Sequence, residues 1–114
     1  MLQRFDVVLV PFPFVDGDQV KARPAIVLAV GERHGDVLLM FVSSRIDSPL
    51  VWDELDLPLK EAGFEQTGLK VSSRARITRL VTLSKSHVKR RIGHLPKTMQ
   101  KRLRELIIAV LAGT

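Results

Sequence analysis

The sequence contains no cysteine. That excludes disulfides, thiolate metal sites and thiol nucleophiles, and it suits a reducing compartment. Aromatic residues are scarce: five Phe, one Trp and no Tyr among 114 residues. Several of them sit in apolar runs, so a platform of aromatic side chains for stacking bases is not expected. No apolar run approaches the length of a membrane span. Residues 1–10 lack the basic start, long apolar middle and small-residue cleavage site of a signal peptide. The expectation is a soluble chain of the cytoplasm. Acids are missing from one long segment: residues 67–104 hold twelve Lys or Arg and no Asp or Glu.

What is present is ordinary for a globular protein, with 46% hydrophobic residues and a length that suits one domain over residues 1–114. The charge is unevenly placed. Residues 47–66 carry Asp47, Asp53, Glu54, Asp56, Glu61 and Glu65 against the single cation Lys60. The net charge is +6 and the isoelectric point about 10.3. Such asymmetry points to a polyanionic partner, either nucleic acid or an acidic protein segment.

Residues 5–10 are rich in β-branched side chains and read as a first strand. Pro11 and Pro13 lack an N–H to donate, so the ladder is expected to stop there. Phe12 and Phe14 are expected to plug a barrel mouth. Residues 15–20 form a polar, Gly-containing loop that leads into Lys21 and Arg23. The stretch 21–30 opens with those two cations and Pro24, then runs apolar without a break, as a fully buried strand does. Pro24 biases Arg23 toward extended backbone. A guanidinium so fixed at a strand mouth is well placed to grip a phosphate.

Residues 31–36 read as a turn and residues 37–42 as a third strand, ending at the polar Ser43-Ser44-Arg45. A hairpin centred near residue 33 puts residue 23 opposite residue 43. A shared surface patch of Arg23, Ser43, Ser44 and Arg45 follows from that register. Trp52–Leu57 alternates like a half-exposed strand. A helical turn is expected within residues 58–68. From residue 69 to 81 the chain alternates again, with Arg74, Arg76 and Thr78 on one side and Ala75, Ile77 and Arg79 on the other. That predicts a strand with a cationic face. A short turn over residues 84–88 and a last strand over 89–95 complete the β content. Pro96 suits a first helical position. Met99, Leu103, Leu106, Ile107, Val110 and Leu111 then recur at three- and four-residue steps, the stripe of an amphipathic helix ended by Gly113. The fold class is mainly β with a C-terminal helix, as a small closed or nearly closed antiparallel barrel.

No spacing of His, Asp and Glu resembles a metal site. Gly17 and Gly31 belong to no phosphate-binding glycine pattern. His34 falls in a turn, and His87 and His94 lie in the basic segment. Structural or solvent-facing roles are expected for all three.

Four stretches taken in order resemble a known family. They are Asp6–Phe14, Arg23-Pro-Ala-Ile-Val-Leu28, the strand ending at Ser43, and Leu80–Leu95. Together they resemble the MazF/PemK toxins of bacterial type II toxin–antitoxin systems, the PemK-like branch most of all. The resemblance implies an SH3-like barrel of the CcdB/MazF type, a homodimer, and a cytoplasmic mRNA interferase. Such an enzyme is a sequence-specific endoribonuclease that cleaves single-stranded RNA without metal or other cofactor. It further implies an antitoxin whose acidic, largely disordered tail threads over the RNA site, with operator DNA reached only through that antitoxin. The family's catalytic arginine matches Arg23, and its catalytic Thr or Ser matches Ser43. Two departures stand out. Phe5 occupies a place where the family usually has Gly, and Ser43 replaces the commoner Thr.

Metal-free RNA cleavage uses the neighbouring 2′-hydroxyl as nucleophile, so the protein supplies position and charge. Arg23 would stabilise the extra negative charge of the transition state, and Ser43 would donate a hydrogen bond to the same phosphate. Asp18, Gln19, Lys21, Ser44, Arg45 and Arg76 would contact the RNA. Two other functions fit the same composition. One is a non-catalytic toxin of this fold that binds gyrase. The other is a nucleic-acid-binding module whose affinity comes from residues 67–104.

Overall fold

The computed structural model describes residues 1–12 and 21–113, with Phe12 described by its backbone alone. The strands are β1 (Asp6–Phe12), β2 (Lys21–Val30), β3 (Asp36–Ser43), β4 (Glu54–Leu57), β5 (Ser73–Ser84) and β6 (Arg90–His94). They form one antiparallel sheet in the order β4-β5-β3-β2-β1-β6. A short 3₁₀ turn at Phe64–Thr67 follows β4, and another at Lys85–His87 links β5 to β6. Helix α1 (Lys97–Ile107) follows β6 and runs on into a π-turn over Ile108–Ala112. No helix among the described residues is long and apolar enough to cross a membrane.

The period of two along each strand sorts apolar side chains to two faces. Val7, Ile26, Met40, Leu57 and Ile77 join Phe64, Met99 and Leu103 in one cluster, which α1 covers. Val8, Val10, Ala25, Val27 and Leu39 form a second cluster on the other face. Residues 25–28 are therefore buried from both sides, which is why that run is continuously apolar. Covering both faces of one sheet requires it to curl. Register shifts between β1 and β6, β2 and β3, and β3 and β5 supply the bends. The result is a half-barrel whose edge strands β4 and β6 do not pair. The turn at Phe64–Thr67 packs on β6 and α1 packs on β4. Gly68 and Gly93 permit the first of these contacts, because a Cβ at Gly93 would collide with the Thr67 backbone and one at Gly68 with the Ile92 carbonyl.

Several boundaries differ from the sequence reading. β1 does not stop at Pro11 but runs to Phe12, with Pro11 opposite Ala22. β6 ends its pairing with β1 at Leu9, so a residue without an N–H is tolerated beyond that edge. Trp52 and Asp53 belong to a turn before β4, closed by the Glu54 N–H donating to the Val51 carbonyl at 3.1 Å. Trp52 is 73% exposed. The apolar stripe of α1 is buried at Met99 and Leu103, whereas Leu111 is exposed. The plug expected of Phe12 and Phe14, and the loop 15–20, lie outside the described residues.

Phe5 shows how the chain meets a local conflict. Its φ is +73°, a left-handed conformation that favours glycine. Its ring is nonetheless buried in the α1-covered cluster, and the Arg104 guanidinium stacks over it at 4.9 Å. The aromatic burial offsets the backbone strain.

Candidate active site

Pairing places Arg23 opposite Val10 on β1, at the exposed start of β2. On the other side, β2 meets β3 with Ala25 opposite Phe41 and Ile26 opposite Met40. That register, continued two residues, sets Arg23 across from Ser43, as the hairpin arithmetic predicts. Ser43 in turn lies opposite Arg74 of β5. A cationic residue, a hydroxyl and a second cationic residue therefore stand in a row across three strands.

These residues line one open cleft of about 500 Å³, the size range of small-ligand sites. Its lining joins the apolar Phe41 and Val42, the hydroxyls of Ser43 and Ser44, and five arginines, Arg23, Arg45, Arg74, Arg76 and Arg79. The Ser43 Oγ accepts a hydrogen bond from the Arg45 N–H at 3.0 Å. That bond orients the side chain and leaves the hydroxyl proton to donate elsewhere.

The five arginines are not equivalent. Arg74 is buried, and its guanidinium donates to both Asp56 carboxylate oxygens at 2.6 and 3.3 Å and to the Ser48 carbonyl at 2.9 Å. The Asp56 hydrogen bond, against the opposing effect of burial, holds its pKa above the ordinary arginine value. Arg76 pairs with Glu54 at 2.9 Å. Arg23, Arg45 and Arg79 have no ion pair among the described residues. The predicted cationic face of β5 is thus corrected: Arg74 is a buried clamp between β5, β4 and the loop at Ser48, not a free surface charge.

Of the residues expected to form the site, the structure brings Arg23, Ser43, Ser44, Arg45 and Arg76 together. Lys21 is exposed two residues before Arg23 and does not line the cleft. Asp18 and Gln19 lie outside the described residues. Sequence reasoning missed Arg74 and Arg79 as cleft residues. For Arg74 the signal was present, since it alternates with Arg76. For Arg79 it was not, because β5 bulges there. Met40 opposes Leu80 while Val42 opposes Ala75, so residues 76–79 face Phe41 alone.

The three histidines stand apart from the cleft. His34 and His87 are exposed. His94 Nδ1 lies 2.8 Å from Oδ1 of the fully buried Asp6, and His94 Nε2 lies 3.3 Å from the Gln100 amide nitrogen. Burial pushes the Asp6 carboxyl up, but hydrogen bonds with His94, the Gln3 N–H and Arg91 outweigh it, leaving the pKa below the ordinary carboxylate value. This cluster ties β1 to β6 and α1. Among the described residues no group of three or more His, Asp and Glu is placed to hold a metal ion.

A family model for the PemK-like, MazF-like toxins of type II toxin–antitoxin systems matches residues 3–111. The chain belongs to this family. No curated protein sequence matches this PemK-like toxin significantly. Among solved structures, a mycobacterial endoribonuclease in complex with its cognate antitoxin superposes on the toxin with a TM-score of 0.73 at 10% identity, covering 98% of this chain and 96% of that one. The Mycobacterium tuberculosis toxin MazF-mt6 gives a TM-score of 0.66 at 18% identity, covering 90% and 92%. At such identities these likenesses establish a common fold: the toxin's curled sheet and terminal helix are those of MazF toxins. Phe5, the family departure noted above, sits at the positive φ for which glycine is the usual solution.

Proposed function

We propose that this toxin is an endoribonuclease that cleaves single-stranded RNA by attack of the 2′-hydroxyl on the adjacent phosphate. The observation that carries the reading is the meeting of Arg23 and Ser43 on one arginine-walled cleft. In this reaction the 2′-oxygen forms a bond to phosphorus, the bond from phosphorus to the 5′-oxygen breaks, and a 2′,3′-cyclic phosphate remains. The 2′-hydroxyl proton passes to water and the departing 5′-oxygen takes one up. Negative charge gathers on the phosphoryl oxygens in between. Arg23 stabilises that charge more than it does the ground state, and the Ser43 hydroxyl donates to the same group. A guanidinium at this place acts as a fixed cation and not as a proton shuttle. The names of the solved neighbours, an endoribonuclease and a MazF toxin, support the same activity. The unpaired cations of the cleft also suit the acidic tail of a cognate antitoxin, consistent with the neighbour solved with its own antitoxin. Homodimerisation, a cytoplasmic site of action and indirect operator binding belong to this reading as family properties.

The test is incubation of the purified toxin with a long RNA in excess EDTA. Discrete fragments ending in 2′,3′-cyclic phosphate are expected, and Arg23→Ala should slow their appearance by about 10²-fold or more. Intact RNA bound with steep salt dependence would instead support a binding module.

A further inference from the structure

Three of the five cleft arginines come from β5, yet only one of these is without an acid partner among the described residues. Arg74 is held by Asp56 and Arg76 by Glu54. Arg79 is exposed, lines the cleft, and has no ion pair. In a regular strand, residues three apart point to opposite faces. Arg76 and Arg79 both line the cleft because the bulge opposite Phe41 re-aims the strand there. A bulge that turns an unpaired guanidinium into a cleft already holding Arg23 and Ser43 has a consequence for the ligand. β2 and β5 are separated by β3, and Arg79 lies beside Phe41, about two residues along from the row of Arg23, Ser43 and Arg74, so Arg23 and Arg79 start roughly 12 Å apart. The cleft of about 500 Å³ exceeds what one phosphate needs.

We propose that Arg79 binds a second phosphodiester of the RNA, next to the scissile one, and so acts as a substrate-binding residue on the strand opposite Arg23. The proposal rests on the endoribonuclease reading only for which phosphate is scissile; the second contact requires a phosphodiester backbone and no chemistry. The first phosphate meets Arg23 and Ser43 from β2 and β3. The neighbouring phosphate meets Arg79 from β5. Arg76 also lines the cleft, with its charge shared with Glu54.

The experiment uses two measurements on the whole protein. Binding of a mixed-sequence, fully 2′-O-methylated single-stranded RNA, which cannot be cut, is measured across salt concentrations. Cleavage of unmodified RNA is measured in parallel. Arg79→Gln should lower affinity about tenfold at low salt and reduce the slope of log affinity against log salt by about 0.7, the loss of one phosphate contact. Arg79→Lys should keep the slope. In cleavage the loss should fall on KM and not on kcat. An unchanged salt slope in Arg79→Gln would overturn the proposal. So would a fall in kcat as large as that of Arg23→Ala, which would place Arg79 on the scissile phosphate. Weakened binding of an acidic polyglutamate peptide with RNA affinity unchanged would overturn it in favour of a protein ligand. A wild-type protein that binds with the expected slope but cuts nothing would end the nuclease reading and leave the second contact standing.

Discussion

At the scale of single residues, position decides chemistry. Arg23 is one of eighteen Lys and Arg, but it alone precedes a proline at the mouth of a strand whose register faces Ser43. That much was legible in the sequence to within a residue, because hairpin pairing is additive in residue number; the turn alone sets a sum of 67, and a register shift between Val27 and Ala29 lowers it to the 66 that pairs Arg23 with Ser43. Phe5 was legible as a departure but not as a solution. Only coordinates reveal a positive φ combined with a buried ring. Truncating a buried Phe to Ala destabilises by about 3–5 kcal/mol, and a non-glycine residue in the left-handed region costs about 1 kcal/mol more than glycine there. Phe5→Gly should therefore be less destabilising than Phe5→Ala by about 1 kcal/mol, the reverse of the usual order within strands. Urea denaturation of the two variants measures this.

Elements combine these residues, and here the sequence was informative in one direction only. Apolar periodicity disclosed the long strands and α1, since burial against a core sets a period that survives in the sequence. It could not disclose the β5 bulge, because strict alternation extrapolates through residues 76–79 and assigns Arg79 to the wrong side. Nor could it show that Glu54 and Asp56 of β4 reach across to Arg76 and Arg74. The strand-to-strand register makes those pairs, with Glu54 opposite Arg76 and Asp56 opposite Arg74. β4 thereby tempers the positive charge of the cleft. Releasing Arg76 from its carboxylate should strengthen RNA binding. Glu54→Gln, which preserves shape, is expected to raise affinity for single-stranded RNA and steepen its salt dependence by about 0.7 in slope. Fluorescence anisotropy over a salt series reads both.

Across the whole molecule, the opposed charge segments answer one another in part. Glu54, Asp56 and Glu61 of the acidic stretch pair with Arg74, Arg76 and Arg102 of the basic one. Of the twelve cations in residues 67–104, Arg74, Arg76, Arg91 and Arg102 have ion pairs, leaving eight without one among the described residues. The asymmetry thus builds the fold first and supplies the surplus for a polyanion second, a division that composition alone could not make. Global stability carries its own pH signature through Asp6. Its folded pKa lies below the unfolded value, so its contribution is fully present above the unfolded carboxylate pKa of about 3.9 and is lost as pH falls through the folded value. Asp6→Asn should be less stable than wild type at neutral pH, and the gap should narrow in acid; thermal melts between neutrality and strongly acidic pH check this. The central claim is likewise a property of the whole fold: two side chains twenty residues apart act on one phosphate because β2 and β3 bring them together. A double-mutant cycle in kcat/KM for RNA cleavage, with Arg23→Ala, Ser43→Ala and both, tests it most directly. A shared phosphate predicts that the double variant is little worse than Arg23→Ala alone. Strictly additive losses, or a Ser43→Ala protein as fast as wild type, would contradict it.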